Sequence, residues 1–194
     1  MRYLSTAARL LLIFTLLTGV LYPLSVTLFG QALFPVQANG NLITVDGQVI
    51  GSALIAQSSS DPHYFWSRPS AVNTLLGTSL DALGSSGASN QGGSSATLRQ
   101  AQMEREQAFR AAHALAADAI VPAEMLFASG SGLDPHISPE AARLQVARIA
   151  EARNLPAEQV AALVEGHIEG PDLGFMGQAR VNVLRLNLAL NALP

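Results

Sequence analysis

From Leu10 to Phe29 the chain reads LLLIFTLLTGVLYPLSVTLF, with only Ser, Thr and Gly interrupting the apolar positions. No charged residue occurs between Arg9 and Asp46. The run is apolar on every helical face, which suits lipid better than a protein surface. About 20 helical residues at ~1.5 Å rise cover roughly 30 Å, the thickness of a bilayer's hydrocarbon core. Gly19 and Pro23 lie inside it, where the hydroxyls of Thr15 or Thr18, or a packed neighbour helix, satisfy freed carbonyls. The pattern predicts one membrane span over residues 10–34, a cytoplasmic N-terminus over residues 1–9 and one extracytoplasmic domain over residues 35–194. A rival is a secretory signal with Arg2 and Arg9 as its basic start and Gly30-Gln31-Ala32 as a poor cleavage site. The apolar run outlasts the usual 7–15 residues of a signal core and favours an uncleaved anchor.

Beyond the span the period changes. Pro35 to Asn41 reads as a polar exit. Leu42 to Val45, Asp46-Gly47 and Gln48 to Ile50 read as a hairpin, since Asp-Gly suits a two-residue turn with positive φ. The second strand is expected to continue through Gly51 to Gln57, with a break over Ser58 to Pro62. His63-Tyr64-Phe65-Trp66 beside Arg68 is either a short strand sending alternate rings into the core or a ring-and-guanidinium binding face. Residues 77–97, rich in Gly and Ser, read as a flexible surface loop or as a loop held against a partner by its amides.

A helix is predicted over 98–119, capped by Thr97 and stopped by Pro122, with Leu98, Met103, Phe109, Ala112 and Leu115 on one face. Val121 to Ala128 looks like a strand. Ser138-Pro139-Glu140 has the form of a cap, a first-turn proline and a first-turn acid. It opens a helix with Ala142, Leu144, Val146, Ile149 and Ala150 inward and Arg143, Arg148 and Arg153 outward. A further helix spans Ala157 to His167, opened by Pro156. Gly174 to Gly177 turns the chain, and Val181 to Leu186 passes from strand into a terminal helix. The fold class is α+β, a small sheet packed against several helices.

Charge adds orientation. Arg2 and Arg9 precede the span and no basic residue follows it until Arg68, so the rest of the chain is expected outside the cytoplasm. Every basic residue is arginine, and acids outnumber them beyond the span, which argues against nucleic acid or anionic lipid as the main partner. The chain holds no cysteine, so neither a disulfide framework nor a thiolate metal site is available.

Candidate chemistry is thin. Ser129 or Ser131 with Asp134 and His136 suggests an exported serine hydrolase, but a triad normally draws its members from separate elements, and no Gly-x-Ser-x-Gly elbow is present. His63, His113, His136 and His167 lack the spacing of a helical metal pair. The Gly-rich tracts contain no P-loop lysine. The residues describe a membrane-tethered, non-enzymatic partner protein with no catalytic residue and no metal site, or a free-standing exported binding module if cleavage follows Ala32.

Several ordered stretches then carry a resemblance: Tyr22-Pro23, Gln37-Ala38-Asn39-Gly40, Gly51 to Gln57, Tyr64-Phe65, Arg68-Pro69-Ser70-Ala71, Ser86-Gly87-Ala88-Ser89-Asn90, Ser129 to Ser138, and Val181-Asn182-Val183 with Leu186 to Leu190. Together the chain resembles the KdpC family, the C subunits of bacterial Kdp potassium-transporting P-type ATPases. It departs from the usual pattern at Ala88, where the family has glycine, and at Phe127, where threonine is common.

The resemblance implies an accessory subunit of an ATP-driven potassium importer in the bacterial cell membrane. Its implied partners are the catalytic P-type subunit and the channel-like potassium subunit, beside membrane lipid. It also implies a chaperone-like increase in the catalytic subunit's ATP affinity, with Gln57, Ser86, Gly87, Ser89 and Asn90 as nucleotide-linked residues. The arginine placement sets those residues across the bilayer from cytosolic ATP, so the outer domain is expected to bind no cofactor and to act indirectly. Tyr64, Phe65, Arg68, Ser129, Gly130, Ser131, Gly132 and Asp134 are the expected partner contacts.

Overall fold

A computed structural model describes residues 2–72 and 86–193. It falls into two compact units, residues 1–52 and 53–194. The first begins with a continuous helical rod, Arg2–Leu33, of 32 residues, whose most apolar 18-residue window has a mean hydropathy of 2.0 and no burial. This is long and apolar enough to cross a membrane, and it starts earlier than the hydropathy pattern alone predicts.

The rod is not uniform. α1 (Arg2–Leu16) passes through a wide π turn (Leu17–Leu21) into α2 (Tyr22–Leu33). Pro23 explains the wide turn, because proline offers no N–H and its ring crowds the carbonyl four residues back. The Tyr22 N–H reaches back to the Leu17 carbonyl, and the Thr18, Ser25 and Thr27 hydroxyls donate to the carbonyls of Phe14, Leu21 and Pro23.

The exit read over Pro35 to Asn41 contains a four-residue helix, α3 (Pro35–Ala38). The hairpin forms as read: β1 (Leu42–Val45) pairs antiparallel with β2 (Gln48–Ser52), and Asp46 and Gly47 both take positive φ. A bulge between Ile43 and Thr44 absorbs one residue of β2. β2 stops at Ser52 instead of continuing to Gln57, because the next residues turn.

In the second unit, α4 (Ala96–Ala112) is capped by Ser95, whose hydroxyl accepts the Leu98 N–H at 3.3 Å, not by Thr97. It ends well before Pro122: Ala114 takes φ 48°, and the Arg110 guanidinium gathers the Ala116 and Ala119 carbonyls of the departing chain. Of its expected apolar face only Phe109 is buried, and Met103 faces solvent. The strand expected after Val121 is a 3₁₀ turn over Ala123–Met125.

β3 (His136–Ile137), β4 (Ile168–Glu169) and β5 (Arg180–Asn182) form a small antiparallel sheet in the order β3-β5-β4. Around it pack α5 (Pro139–Leu144), α6 (Val146–Arg153), α7 (Ala157–Gly166) and α8 (Val183–Asn191). Ser138 caps α5 by accepting the Ala141 N–H, as its Ser-Pro-Glu pattern predicts, and Asn182 caps α8. The single helix expected after Pro139 is interrupted at Gln145. The core joins Phe65, Phe109, Ile137, Ile149, Val160, Val164, Val181, Leu186 and Leu190. Fold class α+β therefore holds, with shorter strands than the sequence pattern suggests.

Candidate partner-facing site

The face carrying the predicted contacts is built on an irregular segment, residues 61–67, that turns at Pro62–Tyr64 and belongs to no strand. Irregular chain must still satisfy its backbone groups when it is buried. Here side chains do that work. Asn187 of α8 accepts the Phe65 N–H at 2.8 Å and donates to the Phe65 carbonyl at 2.9 Å. Gln145 repeats the arrangement with Trp66, accepting at 2.7 Å and donating at 3.1 Å. Two amides thus stand in for a neighbouring strand.

Arg148 completes the clamp. It was expected to point outward, yet only 9% of its surface is exposed. Its guanidinium donates to the Pro62 carbonyl, to the Tyr64 carbonyl at 2.9 Å, to Gln145 Oε1 at 3.1 Å and to His113 Nε2 at 3.0 Å. It also lies 4.6 Å from the Trp66 ring centroid. Burial brings its pKa down to about 10, opposed by the charge of Asp61.

His113 is buried too, and burial, aided by Arg148, pushes its pKa down to about 4, although the hydrogen bond with Phe109 opposes the shift. Because Nε2 accepts from Arg148, the ring proton sits on Nδ1, which donates to the Phe109 carbonyl at 2.8 Å. His113 stacks on Phe109 at 4.0 Å and meets the Trp66 ring edge-on at 5.2 Å.

This clamp sorts the aromatic run. Phe65 has no exposed surface and belongs to the core, so it offers nothing to a partner in this fold. Tyr64 remains partly exposed, 4.8 Å from the Arg153 guanidinium carbon. Arg153 itself is tied to the His63 carbonyl at 2.7 Å and to Asn191 at 2.6 Å.

Arg68 begins the exposed part of the site. Its Nη1 meets Asp134 Oδ2 at 2.7 Å, while Asp134 Oδ1 accepts the His136 N–H at 3.0 Å. His136 first, then Arg68, hold the Asp134 carboxyl down at about 2 against its partial burial.

Three distant stretches converge at the next loop. Ser70 donates to the Gly132 carbonyl at 2.6 Å, and the Ser86 hydroxyl and Gly87 N–H both reach the Ser131 carbonyl. Gly132 takes φ +70°, and a Cβ there would lie 2.7 Å from the Gly87 carbonyl and 2.9 Å from Val72. Only glycine fits. From the other side the Ala56 N–H donates to the Leu133 carbonyl, and Asn182 donates to the Ala53 carbonyl at 2.7 Å. A shallow cleft results, lined by Leu54, Ile55, Arg68, Ser129, Leu133 and Asp134.

The structure therefore brings Arg68, Ser129, Gly130, Ser131, Gly132 and Asp134 together, with Ser86 and Gly87 against them. Gln57 lies in the chain leading away from the Leu54–Ile55 turn, and Ser89 and Asn90 are exposed. Ala88 does not take positive φ, whereas Asn90 does, at 52°. Of the loop expected over 77–97, residues 77–85 lie outside the described residues.

The hydrolase alternative finds no support in this geometry. Ser131 Oγ accepts the Leu133 N–H, Ser129 Oγ meets Ser131 Oγ at 3.3 Å, and His136 Nδ1 faces Asp134 at 3.5 Å. Among the described residues no hydrogen bond joins either serine to His136, because the hydroxyls turn back onto their own loop. No group of three His, Asp or Glu side chains converges on a metal position among these residues.

Sequence reasoning missed Gln145, Arg148 and Asn187. Their only signal is position: a polar amide at Leu186-Asn187-Leu188, and Gln145 at the seam of two apolar helices.

Comparison with known proteins covers the chain almost end to end. The family model described as "KdpC: K+-transporting ATPase, c chain" matches residues 4–192. A "Potassium-transporting ATPase KdpC subunit" from Methylococcus capsulatus is 52% identical over 187 residues, 96% of each chain. Proteins of the same description from Mycobacterium bovis BCG and Synechocystis sp. are 49% and 48% identical. They align over 99% of each chain in the first case, and over 91% of this chain and 90% of the relative in the second.

Proposed function

This chain belongs to the KdpC family, the c chain of K+-transporting ATPases, and from that premise we propose that it is the non-catalytic accessory subunit of a potassium-importing ATPase complex. The observation that carries the reading is the match over residues 4–192, which takes in both the apolar rod and the larger unit. The site supports it from the other side. Its serines and histidines are engaged in holding loops together, and its cleft joins Leu54 and Ile55 to a fixed Arg68–Asp134 pair, as a docking face would.

The rod crosses the bacterial cell membrane once, with Arg2 and Arg9 on the cytoplasmic side and the larger unit outside. There it docks on the channel-like potassium subunit through Tyr64, Arg68 and the Ser129–Asp134 loop, while the rod packs beside the helices of its partners, including the catalytic subunit. An effect on ATP affinity is then indirect, through the conformational equilibrium of those partners. The engagement of the Gly87 N–H by the Ser131 carbonyl fits this view, since that amide is not offered to a phosphate.

The chain lacks cysteine, so a single introduced thiol reports orientation cleanly. With Ala157→Cys, a membrane-impermeant maleimide should label intact cells, and the labelled chain should co-purify with the catalytic and channel-like subunits. Deleting residues 10–34 should release the larger unit from the complex. Labelling only after lysis would overturn the orientation. Normal assembly and potassium uptake without the rod would overturn its anchoring role.

A further inference from the structure

Residues Asp172–Met176 form a closed turn whose side chains point the wrong way for a soluble surface. Asp172 and Met176 exchange two backbone hydrogen bonds, at 2.8 and 2.9 Å. Within that ring Leu173 is 83% exposed, Phe175 78% and Met176 53%. Three large apolar side chains in four residues, all outward, form a concentrated apolar patch. Leu173 also takes φ 55°, a left-handed conformation that a branched, bulky residue adopts only against steric resistance. Glycine or asparagine would meet that backbone requirement more easily, so the leucine is not explained by the turn.

The surroundings select the occupant. Arg180 lies 3.3 Å from both Asp172 and Glu169, and Arg185 lies 3.3 Å from Glu169. Two guanidiniums face two carboxylates, so the base of the turn is electrically balanced. Adsorption to anionic lipid calls for basic residues left uncompensated beside the apolar ones. A balanced polar rim around an apolar centre is instead the anatomy of a protein interface, with Phe, Leu and Met as anchors.

We propose that the Asp172–Met176 turn is a rigid apolar anchor that seats Leu173, Phe175 and Met176 in an apolar concavity on another subunit of the potassium-transporting complex. This rests on the accessory-subunit reading above and adds a second contact, separate in sequence from the Arg68–Asp134 site. The turn reaches its partner already ordered, so docking loses little conformational freedom.

The test uses the full-length chain co-expressed with the other subunits, with photoreactive benzoylphenylalanine in place of Phe175 and, separately, of Ser131. Position 175 should cross-link to one other subunit of the complex. Cross-linking to lipid alone, to a second copy of this chain, or to nothing while position 131 captures a subunit would overturn the anchor and leave the accessory reading standing. Failure at both positions would overturn both. In parallel, Phe175→Ser and Leu173→Gly should each reduce the partner retained through detergent washing at least tenfold. Leu173→Gly also relieves the left-handed strain, so its thermal transition should be equal to or above that of the parent chain. Full retention by both variants would refute the anchor.

Discussion

Residues 61–67 and residues 172–176 are both irregular chain, yet they are secured in opposite ways. In the first, helices supply the side chains: Asn187, Gln145 and Arg148 grip the backbone, and Phe65 disappears into the core. In the second, the backbone closes on itself and the side chains are left outside. A segment held from without serves first as a foundation, because its backbone groups are occupied and Tyr64 alone of its three adjacent rings Tyr64, Phe65 and Trp66 is offered to a partner. A segment held from within keeps its side chains available for a neighbour. Irregular structure thus divides into a part that positions the Arg68 site and a part that displays.

The sharpest way to break that contrast is Arg148→Met. It leaves the part-buried Pro62 and Tyr64 carbonyls and the buried His113 Nε2 without their donor, at a cost of about 1–3 kcal/mol for a group left unsatisfied away from water. A large drop in the thermal transition of the detergent-solubilised chain is expected. Arg148→Lys should not restore it, because a single ammonium cannot reproduce the planar fork. A transition within a degree or two of the parent would remove the foundation role.

The same foundation carries a pH signature. The folded-state pKa of His113 is about 4 against 6.5 when free, so between those values the unfolded chain binds the extra proton. Its contribution is complete above pH 6.5 and is lost as pH falls through about 4, amounting to no more than about 3 kcal/mol. Denaturation midpoints measured from pH 7.5 to 4.5 should decline in this window, and His113→Gln should flatten the slope. The Asp134 contribution, lost between pH 3.8 and about 2, lies below this range. At the displaying turn the smallest effect is expected. Arg180→Gln removes exposed, solvent-screened pairs to Asp172 and Glu169 and should leave the thermal transition nearly unchanged.

Sequence made the local signals legible. The apolar rod, the Asp46-Gly47 hairpin, the Ser138 cap and the α7 boundaries follow from neighbouring residues alone, and the structure contains each. What depended on distant partners was misread. Arg148 sits where helical periodicity points to solvent, and only the carbonyls of Pro62 and Tyr64, more than eighty residues earlier in the chain, give it reason to turn inward. Phe65 and Trp66 read as strand residues because rings at alternate positions suit one, while the strand pairing they lack is replaced by two side-chain amides. The Ser129–Asp134 loop was visible as a motif; its convergence with Ser70 and Gly87 was not, since no local pattern encodes the close approach at Gly132.

The wide turn at Leu17–Leu21 has a consequence for whatever helix lies alongside the rod. One additional residue in a turn rotates everything after it by about 100° relative to an uninterrupted α-helix. A straight neighbour running the full length would therefore touch one stripe before Gly19 and a different stripe after Pro23. Two unlike neighbours can each be offered their own contact surface by the same single rod.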